Sequence, residues 1–296
     1  MEKKKVWVFV VGVLFLLDVF AWQEVFALNG DKNLEVYFLN VGQGDSEFIK
    51  TPENHQIIID GGPDSLVLTE ISKLMPFWDR TIDLVVLSHP EKDHMQGLLE
   101  ILKKYKADYI LWSGVEKTAP GYNEWINVLE RQKKLGAKII ATKSGDIVRL
   151  GEVKIETISP LENLAGQKMG DSSNDACVVA KLIFGNNSFL FTGDIPAKTE
   201  KELVGIASSQ ASRNDVLKAD VLKIAHHGSK YSTSEEFLQN VKPKFAVIEV
   251  GKNSYGHPTP ETLQRLEKFG IQILRTDING TIEFVSDGEN IKLIDN

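Results

Sequence analysis

The sequence holds a single cysteine, Cys177, which excludes an internal disulfide framework and any zinc site built from several thiolates. A metal would have to be held by imidazoles and carboxylates. Histidine is scarce as well: there are six in 296 residues, and none lies between His94 and His226. Basic charge is not in excess. The 34 Lys and Arg against 41 Asp and Glu leave a net charge of −7, which argues against a broad surface neutralising many phosphates of a nucleic acid. A local groove remains compatible with that charge. Lys103, Lys104 and Lys106 read as one helix face and Arg131, Lys133 and Lys134 as another, and such runs are ordinarily solvated. No low-complexity tract or fixed-period repeat interrupts a chain that is 42% hydrophobic and 25% charged, a globular composition. The length suits one large domain that buries roughly three-quarters of its unfolded surface.

What the chain does have begins at its N-terminus. Three lysines precede residue 6, residues 6–22 are almost wholly apolar apart from Asp18, and Val25-Phe26-Ala27 offers a small-residue cleavage site. Residues 1–28 are therefore expected to be an export segment, either a signal peptide or an uncleaved membrane anchor, since the run is near the lower length for crossing a bilayer. Asp18 favours cleavage, because a carboxylate deep in hydrocarbon costs roughly 2.5–3.5 kcal/mol. The lysines should stay cytoplasmic in either case. The expected location is secreted or extracytoplasmic, with membrane attachment if the segment is retained.

Beyond a short polar link at residues 29–33, one domain is expected over 34–296. Residues 34–39, 46–50 and 56–59 read as strands around a Gly-rich turn, and 65–74 as a helix. Residues 83–87 form an apolar strand that stops at Ser88-His89-Pro90, with a helix from about Met95. A helix is expected over 123–135, then short strands between 147 and 191 with turns at Gly151, Pro160 and Gly185-Asn186-Asn187. Helices at 197–208, 234–239 and 260–269 alternate with strands at 221–225 and 245–249, before a hairpin around Asn279-Gly280. Mixed strands with helices in both halves suggest an α+β sandwich of two sheets with helices outside.

The chemistry concentrates at strand ends. His89-Pro90-Glu91-Lys92-Asp93-His94 packs four potential metal ligands into six residues directly after a buried strand, where a rigid scaffold can turn loop side chains into one space. Acids alone would suit a helix N-terminus, but that does not explain two histidines. Of the six histidines, His89, His94, His226, His227 and His257 all fall in loops that follow expected strands, and Thr192-Gly193-Asp194 adds a carboxylate at another strand end. Neutral imidazoles with carboxylates suit Zn, Mn or Fe.

These motifs resemble those of the ComEC-type metallo-β-lactamase-like domain, in the same order: Val41-Gly42-Gln43-Gly44-Asp45-Ser46, Ile59-Asp60-Gly61-Gly62, Ser88 with the cluster to His94, Leu190-Phe191-Thr192-Gly193-Asp194, Leu222-Lys223-Ile224-Ala225-His226-His227-Gly228-Ser229, and Tyr255-Gly256-His257-Pro258. The resemblance spans about residues 34 to 295. That domain is the extracytoplasmic part of competence DNA-uptake channel proteins and also occurs as free-standing exported proteins. The resemblance implies a four-layer αββα fold, a hydrolytic site with one or two divalent ions, and nuclease activity on the incoming or discarded DNA strand.

Position by position, the superfamily pattern His-x-His-x-Asp-His falls on His89, Glu91, Asp93 and His94, with Glu91 where a second histidine usually stands. Asp194 matches the bridging carboxylate, and either His226 or His227 the late histidine ligand. Asp60 matches the buried aspartate that orients the site, and Asp45 is expected beside the ligands. The mid-chain histidine of the first metal position is missing, and Asn174 or Asp175 is the candidate oxygen ligand in its place. The second position keeps Asp93, His94, Asp194 and one of His226 and His227. With Glu91 the first position becomes oxygen-rich, which favours Mn over Zn. Hydrolysis by a metal-activated water is the implied mechanism, with Asp93 taking a proton and His257 and Lys230 holding a phosphoryl oxygen. Single-stranded DNA is the implied substrate, and the membrane is a partner if the N-terminal segment is uncleaved; no protein partner is expected. Rival expectations are a hydrolase of a phosphocholine ester, lactone or thioester, and a binding module that has lost catalysis. An aromatic-lined basic groove beside the ligands would favour nucleic acid.

Overall fold

The computed structural model describes residues 2–28, 33–118, 121–170, 173–209 and 215–294 in two compact units, Met1–Asn33 and Leu34–Asn296. Unit one is a single helix, α1 (Glu2–Leu28). Its stretch Lys4–Trp22 is long and apolar enough to cross a membrane, and none of it is buried. Residues 29–32, most of the expected polar link, lie outside the described residues.

In unit two, strands β1 (Leu34–Phe38), β2 (Glu47–Lys50), β3 (Gln56–Ile59), β4 (Thr81–Val86), β5 (Lys106–Trp112) and β6 (Lys138–Ala141) join β14 (Ile282–Ser286) and β15 (Ile291–Ile294) in one sheet, ordered β15-β14-β1-β2-β3-β4-β5-β6. Strands β7 (Ile147–Leu150), β8 (Val153–Ser159), β9 (Val179–Phe184), β10 (Asn187–Phe191), β11 (Val221–Lys223), β12 (Phe245–Ile248) and β13 (Gln272–Arg275) form the other, ordered β13-β12-β11-β10-β9-β8-β7. Successive side chains of a strand point to opposite faces, and here both faces are buried. Leu84 and Val86 of β4 meet Phe38, Ile57, Phe189 and Phe284 between the sheets, while Val85 turns outward to the cluster of Leu98, Leu102 and Trp125. Helices α2 (Leu66–Leu74), α3 (Lys92–Lys104) and α4 (Tyr122–Lys134) cover that outer face. Helices α5 (Ala197–Ser209), α6 (Glu235–Val241) and α7 (Pro260–Lys268) cover the second sheet through Leu203, Phe237, Leu238 and Leu266. The result is the expected four-layer αββα sandwich, α+β in class.

Three details depart from the sequence reading. Helix α3 starts at Lys92 and not near Met95, because Glu91 supplies the last extended residue and its carbonyl accepts from Met95 N at 2.9 Å. Asp93 and His94 thus project from a helical turn. The segment around Asn279-Gly280 is not a hairpin: a four-residue helix α8 (Thr276–Asn279) carries the chain from β13 in one sheet to β14 in the other. The terminal hairpin is β14–β15. Lys106 opens strand β5 instead of extending the basic helix face, and Lys103 is paired with Glu100 and Glu124 on the surface.

Two glycines fix the seat of α3. A Cβ on Gly97 would lie 1.7 Å from the Gly61 carbonyl oxygen, and one on Gly61 would lie 2.3 Å from Leu98 N. Without side chains, Gly61 N can donate to His94 O at 2.7 Å and Gly97 N to Gly62 O at 2.9 Å. The Asp60 loop and the first turn of α3 are thereby locked together.

Candidate metal centre

The chemistry-bearing loops leave the ends of β3, β4, β10, β11 and β12, and they converge. From the first sheet come Asp60, after β3, and His89, Asp93 and His94, after β4. From the second come Asp194, after β10, His226 and His227, after β11, and Glu249, after β12. The rings form a continuous chain, with centroids 4.2 Å apart for His89–His94, 5.6 Å for His94–His227, 6.3 Å for His226–His227 and 5.5 Å for His226–His257. The sixth histidine, His55, is elsewhere, with Nδ1 2.8 Å from Asp83 Oδ1.

Three buried imidazoles are held through Nδ1. His94 Nδ1 lies 2.7 Å from Asp60 Oδ2, His227 Nδ1 2.8 Å from the Glu249 carbonyl, and His89 Nδ1 3.0 Å from Ser88 Oγ. Ser88 is itself fixed by Asp60, which accepts from its backbone N at 2.7 Å and its Oγ at 2.5 Å. Each ring therefore offers Nε2, the arrangement that orients metal-ligating histidines. His94 Nε2 stands 3.4 Å from Asp194 Oδ2, and His227 Nε2 3.3 Å from Asp93 Oδ2 and 3.8 Å from Asp194 Oδ2. His89 Nε2, His94 Nε2 and Asp194 Oδ1 are buried without a hydrogen-bond partner, an arrangement that is costly unless a cation satisfies it. Two overlapping groups, His89–His94–Asp194 and Asp93–His94–His227, each bring their ligand atoms within 4.8 Å of one another. Mixed nitrogen and oxygen donors of this kind fit a divalent transition metal.

The local backbone explains why His227 and not His226 reaches inward. His226 (φ 51, ψ 46) and His227 (φ 53, ψ 26) both adopt the left-handed conformation, which costs about 1–2 kcal/mol per non-glycine residue. The sharp turn buries His227 to 2% exposure and leaves the His226 side chain 37% exposed, its Nε2 3.8 Å from Asp194 Oδ2.

Electrostatics couple the acids and imidazoles of the pocket. Burial alone would favour a neutral His94 ring, but Asp194, Asp45 and Asp60 hold its pKa well above the usual range. The same competition, with Asp194 and Asp45 the strongest charges, pushes His227 up to about 10. His89, buried and beside His94, is pushed down to about 3. Burial opposes ionisation of Asp194 and Asp93, yet the imidazoles hold both carboxyls below their usual values. Farther in, burial and the Asp45 charge push Glu249 up to about 8, and burial with Glu249 raises Glu47 well above normal. Asp45, Asp93 and Asp194 thus carry negative charge at neutral pH.

Sequence reasoning missed the cation beneath them. Lys223 is fully buried at the end of β11, pairs with Asp45, donates to the Gly193 carbonyl at 2.9 Å and stands 3.7 Å from Asp194 Oδ1. A lysine inside an apolar strand was the available signal. Glu249 also carried no motif, and it acts on His227 through its backbone carbonyl.

Other expected site residues lie outside these groups. Glu91 turns to the Lys117 ammonium and accepts from Ser173 N at 3.2 Å and Ser173 Oγ at 3.0 Å. Asn174 is half-buried and Asp175 exposed in a single helical turn, and Asp175 joins no ligand group among the described residues. Lys230 is exposed, its ammonium 5.2 Å from the centre of the Tyr231 ring. His257 is half-buried at the edge of the cluster, and its Nδ1 lacks a partner.

A family described as a β-lactamase superfamily domain matches residues 55–212, just over half of the chain. The chain belongs to the β-lactamase superfamily. Within that superfamily it is 31% identical to ComE operon protein 3 of Bacillus subtilis (strain 168) over 268 residues, 84% of this chain and 33% of the relative. It is also 31% identical to Competence protein ComA of Neisseria gonorrhoeae over 247 residues, 83% of this chain and 31% of that protein. It thus spans about a third of the length of the competence relatives it matches. Among solved structures, the metallo-β-lactamase fold protein YhfI from Bacillus subtilis superposes with a TM-score of 0.54 at 13% identity, covering 86% of this chain and 100% of the other. That likeness bears on the fold. The resemblance to ComEC-type proteins therefore holds, and superfamily, fold and ligand groups make the chain a metal-dependent hydrolase.

Proposed function

We propose that the chain is a phosphodiesterase of single-stranded DNA acting outside the cytoplasm, with α1 as its export segment or membrane anchor. The observation that carries hydrolysis is the set of three imidazoles pinned at Nδ1, whose Nε2 atoms face Asp93 and Asp194 across the two sheet ends. DNA is favoured over esters, lactones, thioesters and a purely binding role by relatives named for competence, together with one from Haemophilus influenzae named Recombination protein 2.

In this reading Asp93, His94, Asp194 and His227 hold one divalent ion, and His89 with Asp194 extends the donors toward a second. The ion supplies Lewis acidity, which lowers the pKa of water from about 15.7 toward 7. The chain's own groups do the rest. Asp93, 35% exposed at the mouth of the cluster, is placed to take a proton from the attacking water. His257, on the rim beside His226, would meet a phosphoryl oxygen. Glu91 is paired with Lys117 and serves to position the loop between His89 and Asp93. Half of the four principal donors are carboxylates, so Mn is the first ion to test, with Zn second.

The full-length protein in detergent, stripped with chelator and reloaded with Mn, should cut a 5′-labelled single-stranded oligodeoxynucleotide, and fresh chelator should stop the reaction. Failure to cut with Mn, Zn or Mg, alongside hydrolysis of a lactone or thioester, would transfer the assignment to those substrates.

A further inference from the structure

Of the six tyrosines, Tyr231 and Tyr255 alone are exposed, at 71% and 74%. Both stand on the loops that carry the late histidines. Tyr231 lies four residues after His227, and its carbonyl accepts from Ala197 N at 3.0 Å, at the start of the helix that follows Asp194. Its own N donates to Ser229 Oγ at 3.3 Å. The Tyr255 ring is 5.8 Å from that of His257 at an interplanar angle of 31°, and His257 is the neighbour of His226. Thr259 N donates to the Gly228 carbonyl at 2.9 Å, joining the two loops. The backbone under each tyrosine is therefore anchored while its ring faces water. Each has an exposed lysine nearby: the Lys230 ammonium is 5.2 Å from the Tyr231 ring centre, and Lys252 precedes Tyr255 on the same loop.

Exposed rings on loops beside the ligand cluster, paired with cations, match what an unpaired strand requires. Each base offers a π-face to stack, and each phosphate a charge to meet. A duplex offers neither face, because its bases already stack on one another. We propose that Tyr231 and Tyr255 are stacking platforms for the bases of a single-stranded nucleic acid, with Lys230 and Lys252 at the adjoining phosphates. The strand backbone is thereby led across the ligand cluster. This rests on the phosphodiesterase reading for its purpose, but it is measurable as binding alone.

The test compares a fluorescein-labelled oligodeoxynucleotide with an abasic deoxyribose-phosphate oligomer of equal length and charge. Fluorescence anisotropy is measured with the full-length protein in detergent and chelator, so that no strand is cut. The base-bearing strand should bind about a hundredfold more tightly, since stacking on an aromatic side chain is worth about tenfold per base and two rings are available. Tyr231→Ala and Tyr255→Ala should each remove about tenfold for the base-bearing strand, and the double variant should bring it to the abasic value. Tyr231→Phe and Tyr255→Phe should keep the preference, because the ring and not the hydroxyl is at work. Equal affinities of the native protein for the two strands, or Phe variants as weak as the Ala variants, would overturn the platform. Hydrolysis of bis-p-nitrophenyl phosphate by Mn-loaded protein is scored separately. Hydrolysis without base preference leaves the phosphodiesterase reading and removes the platform; base preference without hydrolysis does the reverse.

Discussion

His94→Ala is expected to empty the site of metal and to lower phosphodiester hydrolysis about a thousandfold or more. A bound ion contributes several kcal/mol of transition-state stabilisation, and each 1.36 kcal/mol is a factor of ten. His94 is singled out because three of the four ligand groups among the described residues pass through it: its Nε2 faces Asp194, and it belongs to the set with His89 as well as the set with Asp93 and His227. Asp194→Asn should act similarly, since Asp194 stands within 4 Å of both His94 and His227. Asp60→Asn disturbs the group that orients His94 through Nδ1 and fixes Ser88 against His89 but removes no ligand, so a smaller loss of roughly 10–100-fold in metal affinity is expected. Metal content by mass spectrometry and hydrolysis rate, measured on the same folded samples, give the order. Full activity in folded His94→Ala protein would remove His94 from the ligand set.

Lys223→Met should cost about 3–5 kcal/mol of stability, because it leaves the buried carboxylates of Asp45 and Asp194 without their internal cation. The pH dependence carries a sign. In the native protein burial disfavours the charged lysine, but Asp45 and Asp194 raise its pKa above the unfolded value, so its contribution is fully present throughout the neutral range. The Asp45 carboxyl is held low against its burial, with Lys223 the first of the opposing charges, so that contribution is present above the unfolded carboxylate pKa. Once Lys223 is gone burial dominates and the Asp45 pKa rises. The deficit of the variant should then shrink as pH falls from 8 to 5 in metal-free protein. Urea denaturation at several pH values measures it. If the single variant does not accumulate folded, Lys223→Met with Asp45→Asn should recover much of the loss, since removing both partners costs less than stranding one. A deficit that is constant with pH would mean that Lys223 serves packing alone.

The sandwich was legible in the sequence because its strands alternate with apolar residues on both faces, and Leu84, Val85 and Val86 could only be buried. The site was legible because five rare histidines share one position, the end of a strand. Other features depend on backbone geometry that periodicity does not encode. His226 and His227 are adjacent, and only the left-handed turn decides which ring is buried. The start of α3 moved by three residues because extended Glu91 caps it. The chain between β13 and β14 changes sheets, and local turn signals at Asn279-Gly280 say nothing about which sheet a strand joins. Glu91 matched a ligand position by spacing, yet Lys117 and Ser173 approach it from segments whose arrival no motif announces. Lys223 sat within a quoted motif, but its meaning required the carboxylates that the fold places around it.

The central claim, that these histidines and aspartates hold a metal with which the chain breaks phosphodiesters, is tested most directly by titrating Mn into chelator-stripped full-length protein while following bis-p-nitrophenyl phosphate. Hydrolysis is expected to be absent without metal and to rise in proportion to bound Mn until at least one ion is held per chain. A folded protein that binds no divalent ion, or one that binds it and leaves the phosphodiester intact, would contradict the account.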